Sequence, residues 1–403
     1  MKAFIAVEEA RSIILGQMAA LPAERVVWTA AVGRTLAEAI RSRDNIPPFD
    51  NSAMDGYAVR SADLQTLPAT LSVIEDIPAG TFPQKTVVPG TCARIMTGAP
   101  FPEGADAVAP VEWTEAGADG HVQFNRAPQP REHVRDAGQD VKKGDLVFEP
   151  GQVITPPMIG MMMTLGYPDV AVARRPRIAV ISTGDELVDA SEALGPGKIR
   201  DSNGPALAAQ VVSAGGEVLP PLHAPDNPER IRAVVEAALD ADVLLFSGGV
   251  SVGSYDFVKQ VLDAMGMELL FWKVRQRPGK PLAFGLLQGR RVFGLPGNPV
   301  SSAICFEQYV RPALAKMLGR QALLRPRHVA RLSAPTPKKT GLHYFARGIA
   351  SFDDAGCLRV CDTGPQASNL YSSMVKANCL FHMPEAMEDP PVGTTVEVEW
   401  LDW

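Results

Sequence analysis

The chain has no excess of positive charge. Its 39 Lys and Arg are outnumbered by 45 Asp and Glu, giving a net charge of -6, so the basic face that nucleic-acid binding needs is missing. Cysteine is scarce: Cys92, Cys305, Cys357, Cys361 and Cys379 are scattered and odd in number. That excludes a disulfide framework and points to a reducing compartment, the cytoplasm. Cys357 and Cys361 are close, but two residues do not make a zinc site. Long apolar runs are also lacking. Met158 to Leu165 is rich in Met but too short to span a bilayer. Glu8 and Glu9 interrupt the apolar N-terminus, which therefore does not read as a signal peptide. Neither an internal repeat nor a low-complexity tail is found, and no membrane partner is expected.

What remains is a 403-residue chain with 46% hydrophobic and 21% charged residues, too long for one core and suited to two to four domains. Residues 1–45 carry two helical patterns: Val7, Ala10, Ile14 and Leu15 fall at helical spacing, and a second runs from about Ala30 to Ile40. Residues 46–140 read as short strands and turns, a β-rich domain inserted between residues 1–45 and 141–175, which are expected to pack together as a mixed helix and strand domain. Within residues 176–325, the runs Arg177–Ser182, Glu217–Leu222, Val243–Phe246, Leu269–Trp272 and Val292–Leu295 read as strands. Helical patterns at 203–214, 228–240, after Tyr255, and from Val300 to Leu318 alternate with them. That alternation predicts a doubly wound, mostly parallel α/β sheet. Residues 326–403 read as a small β domain. The fold class is therefore α/β plus β, multidomain.

In such a sheet, ligands bind beyond the carboxyl ends of the strands. There the chain carries Ser182-Thr183-Gly184-Asp185-Glu186, then Asp226, then Ser247-Gly248-Gly249-Val250-Ser251-Val252-Gly253-Ser254-Tyr255-Asp256, then Lys273 with Arg277-Pro278-Gly279-Lys280-Pro281, then Leu295-Pro296-Gly297-Asn298-Pro299-Val300-Ser301. A glycine-rich turn before a helix exposes backbone N–H groups to an anion. Pro299 suits a helix's first turn, leaving free N–H groups near Ser301. Carboxylates beside an anion imply a divalent cation such as Mg²⁺, with Lys and Arg neutralising the rest. Each feature alone has a plainer reading: a cap, a turn or a surface charge. Gly248 and Gly253 fit half of a P-loop, but Ser254-Tyr255 stands where Lys-Ser/Thr belongs. Gly249-Val250-Ser251-Val252-Gly253 also matches a serine hydrolase's nucleophile elbow. The only later histidines, His328, His343 and His382, lie in the C-terminal β region, which makes a triad a poor fit.

Together with Pro48-Phe49-Asp50-Asn51-Ser52-Ala53-Met54-Asp55-Gly56-Tyr57-Ala58 and Arg94-Ile95-Met96-Thr97-Gly98-Ala99, these motifs closely resemble the molybdopterin molybdenumtransferase family, related to the C-terminal part of gephyrin. The resemblance runs through nearly the whole chain. It implies that adenylylated molybdopterin and molybdate react, with Mg²⁺, to give molybdenum cofactor and AMP. It implies a homodimer of elongated four-domain subunits, with the active site between the molybdopterin-binding α/β domain of one subunit and the β-rich insertion of the other. A molybdopterin adenylyltransferase is a candidate partner that delivers the substrate. Carried over by motif, Asp55, Thr97 and Asp140 come from the insertion. Glu186, Asp226 and Asp256 form the acidic, Mg²⁺-binding set, and Lys273, Arg277 and Lys280 the basic set. Gly248, Gly249, Ser251, Pro296, Pro299 and Ser301 bind the pterin-phosphate. The chain departs from the family in two places: Arg277 where lysine is common, and Asp136-Ala137-Gly138-Gln139, a less basic run before Asp140. A non-catalytic pterin-binding scaffold is the competing reading, and tungstate is not separated from molybdate.

Overall fold

The computed structural model describes residues 2–249 and 257–402. The chain divides into two compact units, one of residues 1–37, 150–155 and 169–403, the other of residues 38–149 and 156–168.

The first unit is built on a twisted sheet. Its strands are β1 (Lys2–Ile5), β2 (Arg177–Thr183), β3 (Glu217–Val218), β4 (Leu222–Ala224), β5 (Val243–Ser247), β6 (Glu268–Val274), β7 (Ala283–Leu287) and β8 (Arg290–Leu295). The spatial order is β1-β6-β7-β8-β5-β2-β3, with β4 also on β2. Residues alternate between faces along each strand, and both faces are covered. Ile178, Val180, Leu245, Phe293 and Leu295 pack with α1 (Val7–Gly16), α2 (Asn203–Ser213) and the helix that opens at Pro299–Cys305. Ala179, Ile181, Leu244 and Phe246 face the other way, onto α3 (Pro228–Ala237) and α4 (Phe257–Ala264). Each fully buried aliphatic or aromatic side chain contributes roughly 1.5–3 kcal/mol, which is why strands buried on both faces read as unbroken apolar runs.

Four local features differ from the sequence reading. The helix expected over residues 30–40 is absent: after a short turn at Trp28–Ala30, Gly33 N–H donates to Ile154 O (2.9 Å) and Leu36 N–H to Gln152 O (2.8 Å). The chain there pairs across sequence instead of coiling locally. The run Glu217–Leu222 is split into β3 and β4 by Pro220 and Pro221, where no ladder N–H is available. β7 is an additional strand, antiparallel to both β6 and β8. β6 still runs parallel to β8, so its end at Val274 shares the rim of the parallel strands. The closing helix is continuous from Pro299 to Met317 but passes through a π-helical stretch at Phe306–Val310.

β1 was not foreseen. It joins the sheet edge in parallel with β6. Residues Ala23–Val27 pair with Asp169–Ala173 in an antiparallel ribbon. Arg327–Leu332, His343–Phe352, Leu358–Asp362, Cys379–Met383 and Thr395–Trp400 close into a barrel, because His343–Phe352 pairs with both of its neighbours. A short strand from the α/β loop, Gln276–Arg277, adds to that barrel beside His343 and Tyr344.

The second unit holds a six-stranded sheet in the order Ala107–Pro110, Gly56–Val59, Thr91–Ile95, Ala69–Ile77, His121–Phe124, Thr114–Ala116. The helix Pro156–Thr164 lies in the same unit. Among the described residues no helix is long and apolar enough to cross a membrane. The five cysteines are free, with Cys92, Cys305 and Cys379 buried.

Candidate active site

Strand order in the α/β sheet reverses at β2 and β5: the chain leaves β2 for one edge and returns to β5 on its other side. Such a switch point leaves a crevice at the strand ends. Here it is a cavity of about 630 Å³, lined by the loops after β2 (Thr183, Gly184, Glu186), β5 (Ser247, Gly248, Gly249) and β8 (Pro296, Gly297, Asn298, Pro299), together with Asp226 and Pro281. The loop after β5 turns sharply, with φ of +93° at Gly248 and +64° at Gly249, conformations that favour glycine. Gly248 N–H donates to Leu295 O (3.1 Å), tying that loop to β8.

The acidic side of the cavity is crowded. Asp226 N–H donates to Asp185 Oδ1 (3.1 Å), and Glu186 lies beside them. Burial and then the Asp185 charge, with Glu186 adding to it, raise the Asp226 carboxyl above its ordinary value. Like charges therefore crowd Asp226, and a cation bound beside it would relieve them. Among the described residues, no three His, Cys, Asp or Glu side chains already converge as a metal cage. Asp256, the third expected ligand, and Ser251 lie outside the described residues.

The basic residues stand apart from the cavity lining. Lys273 adopts φ of +68°, a sparsely populated conformation for a non-glycine residue, with Nζ 3.7 Å above the Trp272 ring. Arg277 donates to Tyr344 Oη (3.0 Å). Lys280 Nζ sits 5.2 Å from the Phe4 ring centre. Lys273 is near the end of β6, and Arg277 and Lys280 are on the connection from β6 to β7, whose Pro281 reaches the cavity. The expectation of free N–H groups at the closing helix is corrected in part: Val300 N–H is taken by Ser368 O (3.2 Å) of the barrel domain, and Asn298 Nδ2 donates to Ser368 Oγ (3.1 Å). Ser301 is buried and is not among the lining residues.

In the second unit, three polar turns meet. Asp55 Oδ1 accepts both the Thr97 N–H and the Thr97 hydroxyl, each at 2.7 Å. The Thr97 backbone donor first, then its hydroxyl, lower the Asp55 carboxyl below its usual range. Gly98 N–H donates to Ser52 O (2.8 Å). Val134–Arg135 pairs with Asn51–Ser52, and Ala137 N–H donates to Asp50 Oδ1 (2.8 Å). Asp140 is exposed at the end of that loop, its N–H held by Ile46 O (2.9 Å).

Arg200, Asp201 and Asn203 also line the cavity and were missed. Asp201 accepts from Ser182 Oγ (2.5 Å) and Gly204 N–H (2.9 Å). The signal was present: Asp201-Ser202-Asn203 before an apolar helix is a helix-start pattern.

A doubly wound domain with an anion-type loop and a carboxylate wall at its switch point, joined to a closed barrel, defines a class. Residues 179–316 match the probable molybdopterin binding domain, residues 5–166 the MoeA N-terminal region (domain I and II), and residues 329–401 the MoeA C-terminal region (domain IV). The molybdopterin molybdenumtransferase of Haemophilus influenzae is 39% identical over 398 residues, covering 98% of each chain. Molybdopterin molybdenumtransferase 2 of Mycobacterium tuberculosis is 38% identical over 404 residues, covering 97% of this chain and 98% of the relative. The crystal structure of a molybdopterin biosynthesis moeA protein from Pyrococcus horikoshii superposes with a TM-score of 0.84 at 31% identity, covering 99% of this chain and 100% of that one. The chain belongs to the molybdopterin molybdenumtransferase family.

Proposed function

We propose that this chain is the transferase that inserts molybdenum, converting adenylylated molybdopterin and molybdate to molybdenum cofactor and AMP. The observation that carries the reading is a cavity lined by Glu186, Asp226 and the glycine-rich loop at Gly248 and Gly249, with Asp185 crowding Asp226. An anionic ligand beside these carboxylates calls for a cation between them. Mg²⁺, when bound, supplies charge neutralisation at the adenylyl phosphates. Glu186, Asp226 and Asp256 are the residues proposed to hold it. Gly248, Gly249, Ser251, Pro296 and Pro299 shape the pterin-phosphate pocket, and Ser301 sits behind it in the closing helix. Lys273, Arg277 and Lys280 hold the molybdate dianion.

The proposal extends to assembly and location. Asp55, Thr97 and Asp140 complete the site from the second subunit of a homodimer, an assembly that rests on the family resemblance. The partition into residues 1–45 with 141–175, 46–140, 176–325 and 326–403 belongs to the same reading. So do a cytoplasmic location and delivery of substrate by a molybdopterin adenylyltransferase. The test is AMP release from adenylylated molybdopterin when molybdate is added. Wild-type protein is expected to release AMP only with both molybdate and Mg²⁺, and Asp226→Asn to lose most of that release. A protein that binds the substrate but never releases AMP would be a scaffold.

A further inference from the structure

Ser247 ends β5 at the floor of the cavity, and its side chain is only 3% exposed. Its hydroxyl accepts a hydrogen bond from Asn203 Nδ2 (2.8 Å). The second Asn203 amide hydrogen goes to Gly297 O (2.8 Å). A backbone carbonyl can only accept, so the Gly297 contact fixes which end of the carboxamide is nitrogen. With an N–H directed at its oxygen, the Ser247 hydroxyl keeps its own hydrogen for another partner. Among the described residues it has none: neither the backbone nor any side chain accepts it. A buried hydroxyl with an unused donor is costly unless something supplies the acceptor.

The cavity supplies the place. Gly248 and Gly249 follow directly, and Gly297 lies on the loop after the adjacent strand β8. Asn203 is the first residue of α2 and bridges both loops with one side chain. We propose that the Ser247 hydroxyl is an oxyanion-binding donor of this cavity, oriented by the Asn203 carboxamide, and that it takes a phosphoryl oxygen of the ligand. This rests on the phosphate-bearing substrate of the proposed function. Ser247 is then a binding residue. Asn203 is a positioning residue, acting through Ser247 and through the spacing of the two loops.

The experiment is calorimetric titration of the full-length protein with inorganic pyrophosphate in the presence of Mg²⁺. Ser247→Ala is expected to weaken binding about tenfold or more, the loss of one hydrogen bond to a charged group. Asn203→Asp is nearly isosteric. Its carboxylate would accept the Ser247 hydrogen and turn the donor away from the ligand, so binding is expected to weaken at least as much. In the Ser247→Ala background, Asn203→Asp should add less than it does alone. Thermal unfolding of each variant separates this from loss of fold. Wild-type affinity in both folded single variants would overturn the proposal, as would full additivity in the double variant. AMP release by the wild-type protein is measured separately. A pyrophosphate site that depends on Ser247 in a protein releasing no AMP would refute the transferase reading and leave this one standing.

Discussion

Gly184 carries no side chain, and an alanine there would collide with the carboxylate it faces. The residue has φ of +130°, and a Cβ on it would lie 2.4 Å from Glu186 Oε2 and 2.7 Å from Oε1 and Cδ. Ordinary contacts are about 3.5 Å, so the carboxylate would retreat by roughly 1 Å. The positive φ itself costs about 1–2 kcal/mol for a residue with a Cβ. These two effects have different readouts. The backbone cost appears in the urea midpoint as a loss of about 1–2 kcal/mol. The displacement appears in catalysis, where a misplacement of about 1 Å costs on the order of a hundredfold. The assay is AMP release from adenylylated molybdopterin with molybdate and Mg²⁺, run on Gly184→Ala, Glu186→Ala and the double variant. Gly184→Ala is expected to lose about a hundredfold in rate, and to lose nothing further once Glu186 is already alanine. Wild-type turnover in a folded Gly184→Ala protein would refute the claim that Glu186 acts from its observed position.

Glu307 is buried with Oε2 accepting from Arg311 Nε (2.8 Å) and Arg325 Nε (3.0 Å), and Oε1 from Gln210 Nε2 (2.9 Å). Glu307→Ala removes the buried carboxylate both arginines share, leaving Arg325 its Asp402 and Trp400 O contacts and, among the described residues, Arg311 only Ser213. It is expected to cost about 3 kcal/mol in chemical denaturation. Acid should destabilise the protein in two stages. Burial, then His382, with Arg11, Arg327 and Lys338, push His343 from 6.5 to about 3. Burial would raise Glu399, but His382, Gln308 and Arg11 bring it from 4.5 to about 2. Both groups bind protons more readily unfolded, so stability falls as pH drops from 6.5 towards 3 for His343 and from 4.5 towards 2 for Glu399. The Glu399 part is on the order of 3 kcal/mol. Urea midpoints from pH 7 down to about 2 measure both stages, and His343→Asn should flatten the upper one. Thr97→Val removes the hydroxyl donor on Asp55. It is expected to raise the Asp55 carboxyl towards its ordinary value by NMR titration and to reduce AMP release, with no change in the urea midpoint.

The parts of this fold that could be read in the chain are those decided locally. Arg177–Ser182 is apolar between its two ends and Val243–Phe246 throughout, because both sheet faces are covered. The loops after them declared themselves through Gly184, Gly248 and Gly249, whose backbone angles few other residues adopt. What could not be read depends on distant partners. Ala30–Ile40 has helical spacing, yet its amides are claimed by residues 152–154. Lys2–Ile5 becomes a strand only because β6 offers an edge. Ser247 and Asn203 gain their meaning from a bond joining residues 44 apart. The cations after β6 could be read as a group, but not the rings of Trp272, Tyr344 and Phe4 on which they rest, two of which come from distant parts of the chain.

The strand Gln276–Arg277 leaves the α/β sheet's own loop and is stitched into the barrel beside His343 and Tyr344. The barrel is therefore no detachable appendage. A chain cut before residue 326 would keep every strand of the parallel sheet, yet Arg277 would lose both the ring beneath it and the hydroxyl it holds. Grafting the α/β module alone into another protein would thus transplant the cleft without the scaffold that aims its cationic loop.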